Sequence, residues 1–140
     1  MEITANALQT VGASQNVLFT DTVVCGNCSI VHRDDSGLVT LRGLTNSQCR
    51  ARFRVTFGGN VGIPTGGTVE SISLALAING EPVSTTTMIS TPAAVEEFNN
   101  VFSSVFLDVP RSCCYQVSVK NTSAQDIDIQ NANLIIERIA

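Results

Sequence analysis

The sequence predicts an all-β domain, a sandwich or jelly roll of two packed sheets. From residue 68 to residue 140 the chain is a close succession of strand-like segments, and almost no helical pattern competes with them. Short turn signals rich in glycine, proline and asparagine separate these segments. Several of them are apolar on both faces, so each needs a cover on both sides. We therefore expect one face to pack against another copy of the chain.

Composition sets the class of protein. The 140 residues are 44% apolar and only 14% charged, whereas charged residues make up about 25% of an ordinary domain. This length fits one domain with a sizeable core, and the scarcity of charge predicts that part of the exterior is an interface. The net charge is −4 and Lys120 is the single lysine, so the basic footprint that binding to nucleic acid requires is missing.

The first 15 residues have no basic segment followed by an apolar one, as a classical signal peptide would have. We interpret residues 1–15 as an N-terminal arm, flexible or inter-subunit, and residues 16–140 as a single domain. The chain also lacks an apolar run long enough to span a bilayer. These observations predict synthesis and assembly from the cytoplasm, without insertion into a membrane.

Residues 16–43 predict two strands and a hairpin. The strands 16–24 and 29–33 are separated by the turn Cys25-Gly26-Asn27-Cys28. Asp34-Asp35-Ser36-Gly37 has the residues that hairpin turns require, because Asp and Gly supply local hydrogen bonds and positive φ angles. The returning strand is 38–43.

Residues 49–57 alternate with the period of a strand. The inward face carries Ala51, Phe53, Val55 and Phe57. The other face carries Arg50, Arg52 and Arg54. Such a stripe is either solvated or forms an ion-pair ladder between subunits, with Glu70 or Asp108 as acidic partners.

Residues 68–79 predict a long strand whose core face carries large apolar side chains, namely Val69, Ile72, Leu74, Leu76 and Ile78. Its second face, of serine and alanine, is small and suits close packing by a neighbour. Asn79-Gly80 is a strong hairpin signal, after which 81–90 is a threonine-rich strand. Thr91 and Pro92 predict one helical turn over 92–99, as a cap and a first-turn proline.

Residues 101–109 are again apolar on both sides, and strands at 115–120 and 126–139 complete the series. The two-sided segments and the arginine stripe together supply the candidate residues for contacts between subunits. These are Leu74, Leu76, Phe102, Phe106, Arg52 and Arg54.

The five cysteines allow several interpretations. Their positions are Cys25, Cys28, Cys49, Cys113 and Cys114. They could be small buried apolar residues in a reducing compartment, ligands of zinc, although the usual second C-x-x-C is absent, or partners in disulfides within or between chains. The odd number leaves one thiol free or available to cross-link subunits.

Little in the sequence points to catalysis. His32 is the only histidine, so a triad or a multi-histidine metal site has one base at most. A Cys49/His32 thiol pair is the one nucleophilic arrangement available, and no hydrolase signature surrounds it. We predict that the chain is not an enzyme, with no catalytic residue, cofactor or metal site.

The C-terminal part resembles a known family. Four segments carry the likeness: Ser71-Ile72-Ser73-Leu74-Ala75-Leu76-Ala77-Ile78-Asn79-Gly80-Glu81-Pro82-Val83, Val109-Pro110, Val119-Lys120-Asn121-Thr122-Ser123 and Asn131-Ala132-Asn133-Leu134-Ile135-Ile136-Glu137-Arg138-Ile139-Ala140. They are similar to the C-terminal domains of bacterial collagen-like surface proteins of the BclA spore type, which belong with the tumour-necrosis-factor and complement globular-head jelly rolls. The likeness spans roughly residues 37–140. The chain departs from it in having five cysteines and no Gly-X-Y stalk.

The resemblance implies a TNF-like jelly roll that forms a tight homotrimer at a cell, spore or virion surface. Joined to the cysteines, it predicts a structural subunit of a coat, appendage or fibre with disulfide cross-linking. The alternative is a head domain that binds a glycan or a surface receptor, as on a phage fibre, through the loops 58–67 and 84–92.

Overall fold

A computed structural model describes residues 1–140 as twelve β-strands and one short 3₁₀ turn. In chain order the strands are β1 (Glu2–Ala5), β2 (Gln9–Val11), β3 (Asp21–Val24), β4 (Ile30–His32), β5 (Val39–Arg42), β6 (Arg50–Gly62), β7 (Ile72–Ile78), β8 (Glu81–Pro82), β9 (Met88–Ser90), β10 (Asn99–Pro110), β11 (Cys114–Asn121) and β12 (Ile127–Arg138). The 3₁₀ turn is Ser84–Thr86. No helix has the length and apolar character that crossing a bilayer demands.

The strands form two antiparallel sheets packed face to face. The first sheet has the order β10-β6-β12-β1-β3, with β2 also paired to β12. The second has the order β4-β5-β11-β7-β8, with β9 also paired to β7. This arrangement confirms the predicted all-β sandwich.

The core lies between the two sheets as one cluster of 28 buried apolar residues. Strand β6 supplies its centre with Phe53 and Phe57, both fully buried. Phe57 meets the ring of Phe19 edge to face, with the ring centroids 6.4 Å apart. The alternation predicted for residues 49–57 is therefore present, and β6 extends it to Gly62.

The N-terminal residues belong to the sandwich rather than to a separate arm, which corrects the predicted division at residue 15. Strand β1 lies inside the first sheet, between β12 and β3. Ile3 is fully buried in the core cluster. Its partner in the register is Leu134 at the other end of the chain, so the burial of this segment depends on a distant strand.

Two local predictions between residues 81 and 99 are wrong. Residues 92–99 form turns and the beginning of β10, without a helical turn. The predicted strand 81–90 is broken into β8, the 3₁₀ turn and β9. Thr86 stabilises the 3₁₀ turn that interrupts the strand, since its hydroxyl donates to the Val83 carbonyl at 2.6 Å and accepts from the Leu76 amide at 3.0 Å.

Candidate self-association face and cysteine end

The outward surface of the first sheet, formed by β6, β10 and β12, carries two exposed phenylalanines and is called here the outer face. Phe102 is 66% exposed and Phe106 is 63% exposed. Both are on β10, four residues apart, while the alternate residues Val101 and Leu107 of the same strand are buried in the core. The two-sided character predicted for residues 101–109 is therefore correct.

The side chains around the phenylalanines on the outer face are mostly small or polar. Phe102 lies opposite Gly58 in the register, and a side-chain carbon placed on Gly58 would have no atom within 4 Å. Between the two rings Thr56 and Ser104 share a hydrogen bond of 3.0 Å. Phe102 thus lies beside small groups, whereas Phe106 lies opposite Arg54 and lines a depression with Arg52, Asp108 and Ile139. Both rings remain largely exposed.

Strand β10 is also an edge strand. It is 12 residues long and pairs only with β6 in the first sheet. Long exposed edges with apolar side chains are sites of association between chains, because they leave backbone groups and apolar surface unpaired.

The arginine stripe forms its ion pairs inside the subunit. Arg50 Nε lies 2.9 Å from Asp108 Oδ2, and Arg52 contacts the same carboxylate twice, through Nε at 2.8 Å and Nη2 at 3.0 Å. Arg54 pairs with Glu137 at 2.8 Å. Asp108 is therefore the partner the sequence suggested, but through a contact between β6 and β10 of one chain, and the predicted ladder between subunits is not needed to pair these arginines.

Glu70, the other suggested partner, instead accepts a hydrogen bond from the Gln125 amide. It lies in the segment between β6 and β7 and makes no ion pair.

The hydrogen bonds from Arg52, with the positive charges of Arg52 and Arg50, hold the pKa of Asp108 below its ordinary value of 3.8, while desolvation opposes this shift. A carboxyl whose pKa is lowered by folding stabilises the fold above its unfolded pKa, and the gain is lost as the pH falls through the folded pKa. We expect Asp108→Asn to be less stable than the natural chain near neutral pH, with the difference vanishing below pH 3.8. Urea unfolding across this range measures it, and a difference that persists at the acid end would contradict the ion-pair origin.

Leu74 and Leu76 do not lie on the outer surface. Each is 1% exposed, and both belong to the core cluster between the sheets. A side chain enclosed by its own subunit cannot contact another one, which corrects the prediction for these two residues. Phe102, Phe106, Arg52 and Arg54 lie on the outer face.

All five cysteines are free and exposed, so the interpretation as buried apolar residues is wrong. They lie in three segments at one end of the sandwich, called here the cysteine end. Cys25 and Cys28 follow β3, Cys49 precedes β6, and Cys113 and Cys114 join β10 to β11. The structure contains no disulfide and no group of three His, Cys, Asp or Glu side chains placed to hold a metal ion.

Backbone contacts fix these segments to one another. The Cys113 carbonyl accepts from the Gly43 amide at 2.8 Å, and the Cys49 carbonyl accepts from the Arg111 amide at 2.9 Å. Gly43 is required for this approach, because a side-chain carbon there would lie 2.0 Å from the Pro110 carbonyl oxygen.

The segment with Cys25 and Cys28 is attached through Ser29. The Ser29 hydroxyl accepts from Arg138 at 2.8 Å, and its carbonyl accepts from the Arg42 amide at 2.8 Å. Cys28 lines one cleft together with Gln48 and Arg138. The cysteine end is therefore one surface built from three tied segments.

His32 and Cys49, the candidate nucleophilic pair, do not lie together in the structure. His32, beside the turn 34–37, has Nε2 3.0 Å from the Ser36 carbonyl oxygen. It pairs with Val39 at the first residue of β5, whereas Cys49 follows the far end of that strand.

Two loops were predicted to bind a ligand. In the first, residues 58–62 are part of β6, while 64–68 form a polar depression with Gln125 and Asp126. The second, 84–92, contains the 3₁₀ turn and β9.

Comparisons with known proteins place the fold. No protein-family model matches the chain, and no curated protein matches it in sequence. Among solved structures, the Eiger TNF of S. frugiperda superposes with a TM-score of 0.68, at 13% identity, over 100% of this chain and 92% of that one. The globular domain of zebrafish complement 1qA protein has a TM-score of 0.61, at 11% identity, over 96% of this chain and 93% of that one. The fold is the TNF and complement-head jelly roll.

Murine APRIL belongs to the same set of neighbours, with a TM-score of 0.60 at 8% identity over 91% of this chain and 95% of that one. At such identities the likeness concerns the fold alone. It confirms the TNF-like jelly roll, the broader part of the resemblance drawn from the C-terminal segments.

Proposed function

We propose that this jelly-roll chain is a structural assembly subunit. It packs as a homotrimer through the outer face and builds a coat, appendage or fibre at a cell, spore or virion surface. The kinship with BclA-type surface domains belongs to this proposal and is supported by the four C-terminal segments. The observation that carries the proposal is the pair of exposed phenylalanines on a long edge strand.

The energetics favour a partner on this face. Burying a phenylalanine side chain contributes about 1.5–3 kcal/mol, and Phe102 and Phe106 lie on the same strand and are both largely exposed. A stable interface buries about 800 Å² on each partner, which the long strands β6 and β10 have room to supply. The three arginines already form ion pairs with Asp108 and Glu137, so an approaching copy meets a stripe with a net charge of only +1 rather than three bare charges.

The test replaces one ring with a charge. We expect Phe106→Asp to convert the trimer into monomers, because the carboxylate would be desolvated against an apolar partner surface. Light scattering coupled to size-exclusion chromatography, run with reductant, measures the mass.

The matched control is Ile89→Asp. Ile89 is 69% exposed on β9 of the second sheet, so this variant adds the same charge at an equally exposed apolar site and should leave the trimer intact. A natural chain that is monomeric in reductant would overturn the proposal, as would two variants with the same mass.

A second function is a head that binds a glycan or surface receptor without catalysing a reaction. The polar depression lined by Thr65, Thr68, Gln125 and Asp126 favours it, because sugar hydroxyls bind to such hydrogen-bonding groups. Gln125 is already oriented there, accepting from the Thr68 amide at 3.0 Å. A glycan array distinguishes this function, and signals at background would remove it.

A further inference from the structure

We propose that the cysteine end joins two assemblies of this chain face to face through disulfides between chains, leaving the opposite end free. The inference rests on the proposed self-association. It adds which end of the trimer is joined and that the joining by disulfides stops at two trimers. It predicts that disulfides close trimers into pairs, so that growth into a coat, appendage or fibre must use contacts other than these disulfides.

The placement of the thiols carries the proposal. All five are exposed and come from the segments following β3, preceding β6 and joining β10 to β11. The antiparallel registers put these positions together, since Pro110 at the end of β10 faces Arg50 at the beginning of β6, and Cys114 faces Arg42 at the end of β5. The loops at the other end, 12–20, 63–71, 91–98 and 122–126, contain no cysteine.

A disulfide between two trimers must therefore join cysteine end to cysteine end. Such a contact uses the same surface on both partners, and an isologous contact closes after one pairing, whereas an open fibre needs two different surfaces. The free end of each trimer has no thiol with which to continue.

The partner is a second copy, because its own cysteine end brings exposed thiols that can form the disulfide and apolar side chains that can be covered by the contact. Leu44 and Ile139 are exposed there, at 44% each. Arg42 and Arg111 are exposed at the same end and form no ion pair. Their like charges oppose the close approach of two such ends at low salt. We expect the pairing to depend on the covalent bond and to be reversed by reductant.

The chemistry balances with a low-molecular-weight disulfide as oxidant. A cysteine thiolate attacks oxidised glutathione, forming a mixed disulfide and releasing one reduced glutathione. A thiolate of the second chain attacks the protein sulfur, which forms the disulfide between chains and releases the second reduced glutathione. Two protein thiols are oxidised and one glutathione disulfide is reduced. The arginines also attract this anionic oxidant.

The experiment follows the mass of the full chain by light scattering, first in reductant and then in oxidised glutathione. We expect a trimer in reductant, a doubling of the mass to a hexamer on oxidation, and a return to the trimer when reductant is restored. A reduced monomer overturns the proposed trimer alone, provided that oxidation still doubles its mass. A reduced trimer that does not double overturns the inference and leaves the trimer standing.

Two variants test the closure. Replacing all five exposed cysteines with serine should abolish the doubling while the reduced mass stays unchanged. Adding Ala124→Cys to the natural chain puts a thiol on an exposed residue at the opposite end, and oxidation should then give a ladder beyond the hexamer. The same ladder from the natural chain would overturn the closed pair.

The location of the bonds is measured by mixing chains labelled with heavy nitrogen and unlabelled chains before oxidation. Disulfide-linked peptides containing one labelled and one unlabelled half show bonds between chains. Peptides linked only within one isotope class would show disulfides inside single chains or inside single trimers and would overturn the inference.

Discussion

Phe57→Ala is expected to lower the free energy of unfolding by about 3–5 kcal/mol, because it removes a fully buried ring from the centre of the core. The ring of Phe19 would lose its edge-to-face partner as well. A loss of this size is a large fraction of the stability of a single domain. Urea unfolding at one fixed protein concentration measures it, since association makes the apparent stability depend on concentration.

The control for this prediction is Ile89→Ala, which removes an apolar side chain that is 69% exposed. A change within about 0.5 kcal/mol is expected there, as for most surface substitutions. Equal losses for the two variants would mean that β6 does not form the centre of the core.

The sequence predicted β6 correctly because its signal is local. A period of two over Ala51, Phe53, Val55 and Phe57 determines which side of the strand is buried, whatever the strand pairs with. The structure adds that Arg50 and Arg52 on the other side pair with Asp108 of β10, and that Arg54 pairs with Glu137 of β12. The alternation indicates an outward stripe but does not identify the chain that pairs with it.

The N-terminal segment shows the opposite case. Residues 2–5 and 9–11 are too short and too weakly patterned to predict strands, and their burial comes from pairing with β12, more than a hundred residues away.

The alternation of residues 68–79 correctly placed Leu74 and Leu76 on the core face. Ala75 and Ala77 on the other side of β7 are also fully buried, so both faces of this strand are covered within the subunit and the leucines cannot serve as interface residues.

The residues of the outer face and of the cysteine end could be predicted from the sequence, but their grouping in space could not. Phe102 and Phe106 stand out as large apolar residues on the second side of a strand, and the five cysteines are evident from composition. Their grouping at one end follows from the registers of β5, β6, β10 and β11. Such non-local pairings are not encoded in any single segment.

Asn121→Asp is expected to destabilise the chain by about 3–5 kcal/mol near neutral pH, because it buries an uncompensated charge. Asn121 is fully buried, and its amide nitrogen donates to the carbonyls of Val11, Gly12 and Gln125 at 3.0, 3.2 and 2.9 Å. A carboxylate has the same shape, but it would place negative charge against three carbonyl oxygens. Its oxygen could still accept from the Ser123 amide, as Oδ1 of Asn121 does at 2.9 Å.

The penalty should shrink as the pH is lowered, since protonation removes the charge and restores one donor. Burial beside acceptors raises the pKa of a carboxyl in the folded state, so stability is recovered below that value and lost as the pH rises through it. Asn46→Asp, at an exposed loop residue, makes the same chemical change in water and should have little effect at any pH. Urea unfolding of the two variants is measured between pH 4 and pH 8. If the buried amide joins β2 to β11, only Asn121→Asp should show a loss of stability that depends on pH. Parallel curves for the two variants would refute this role.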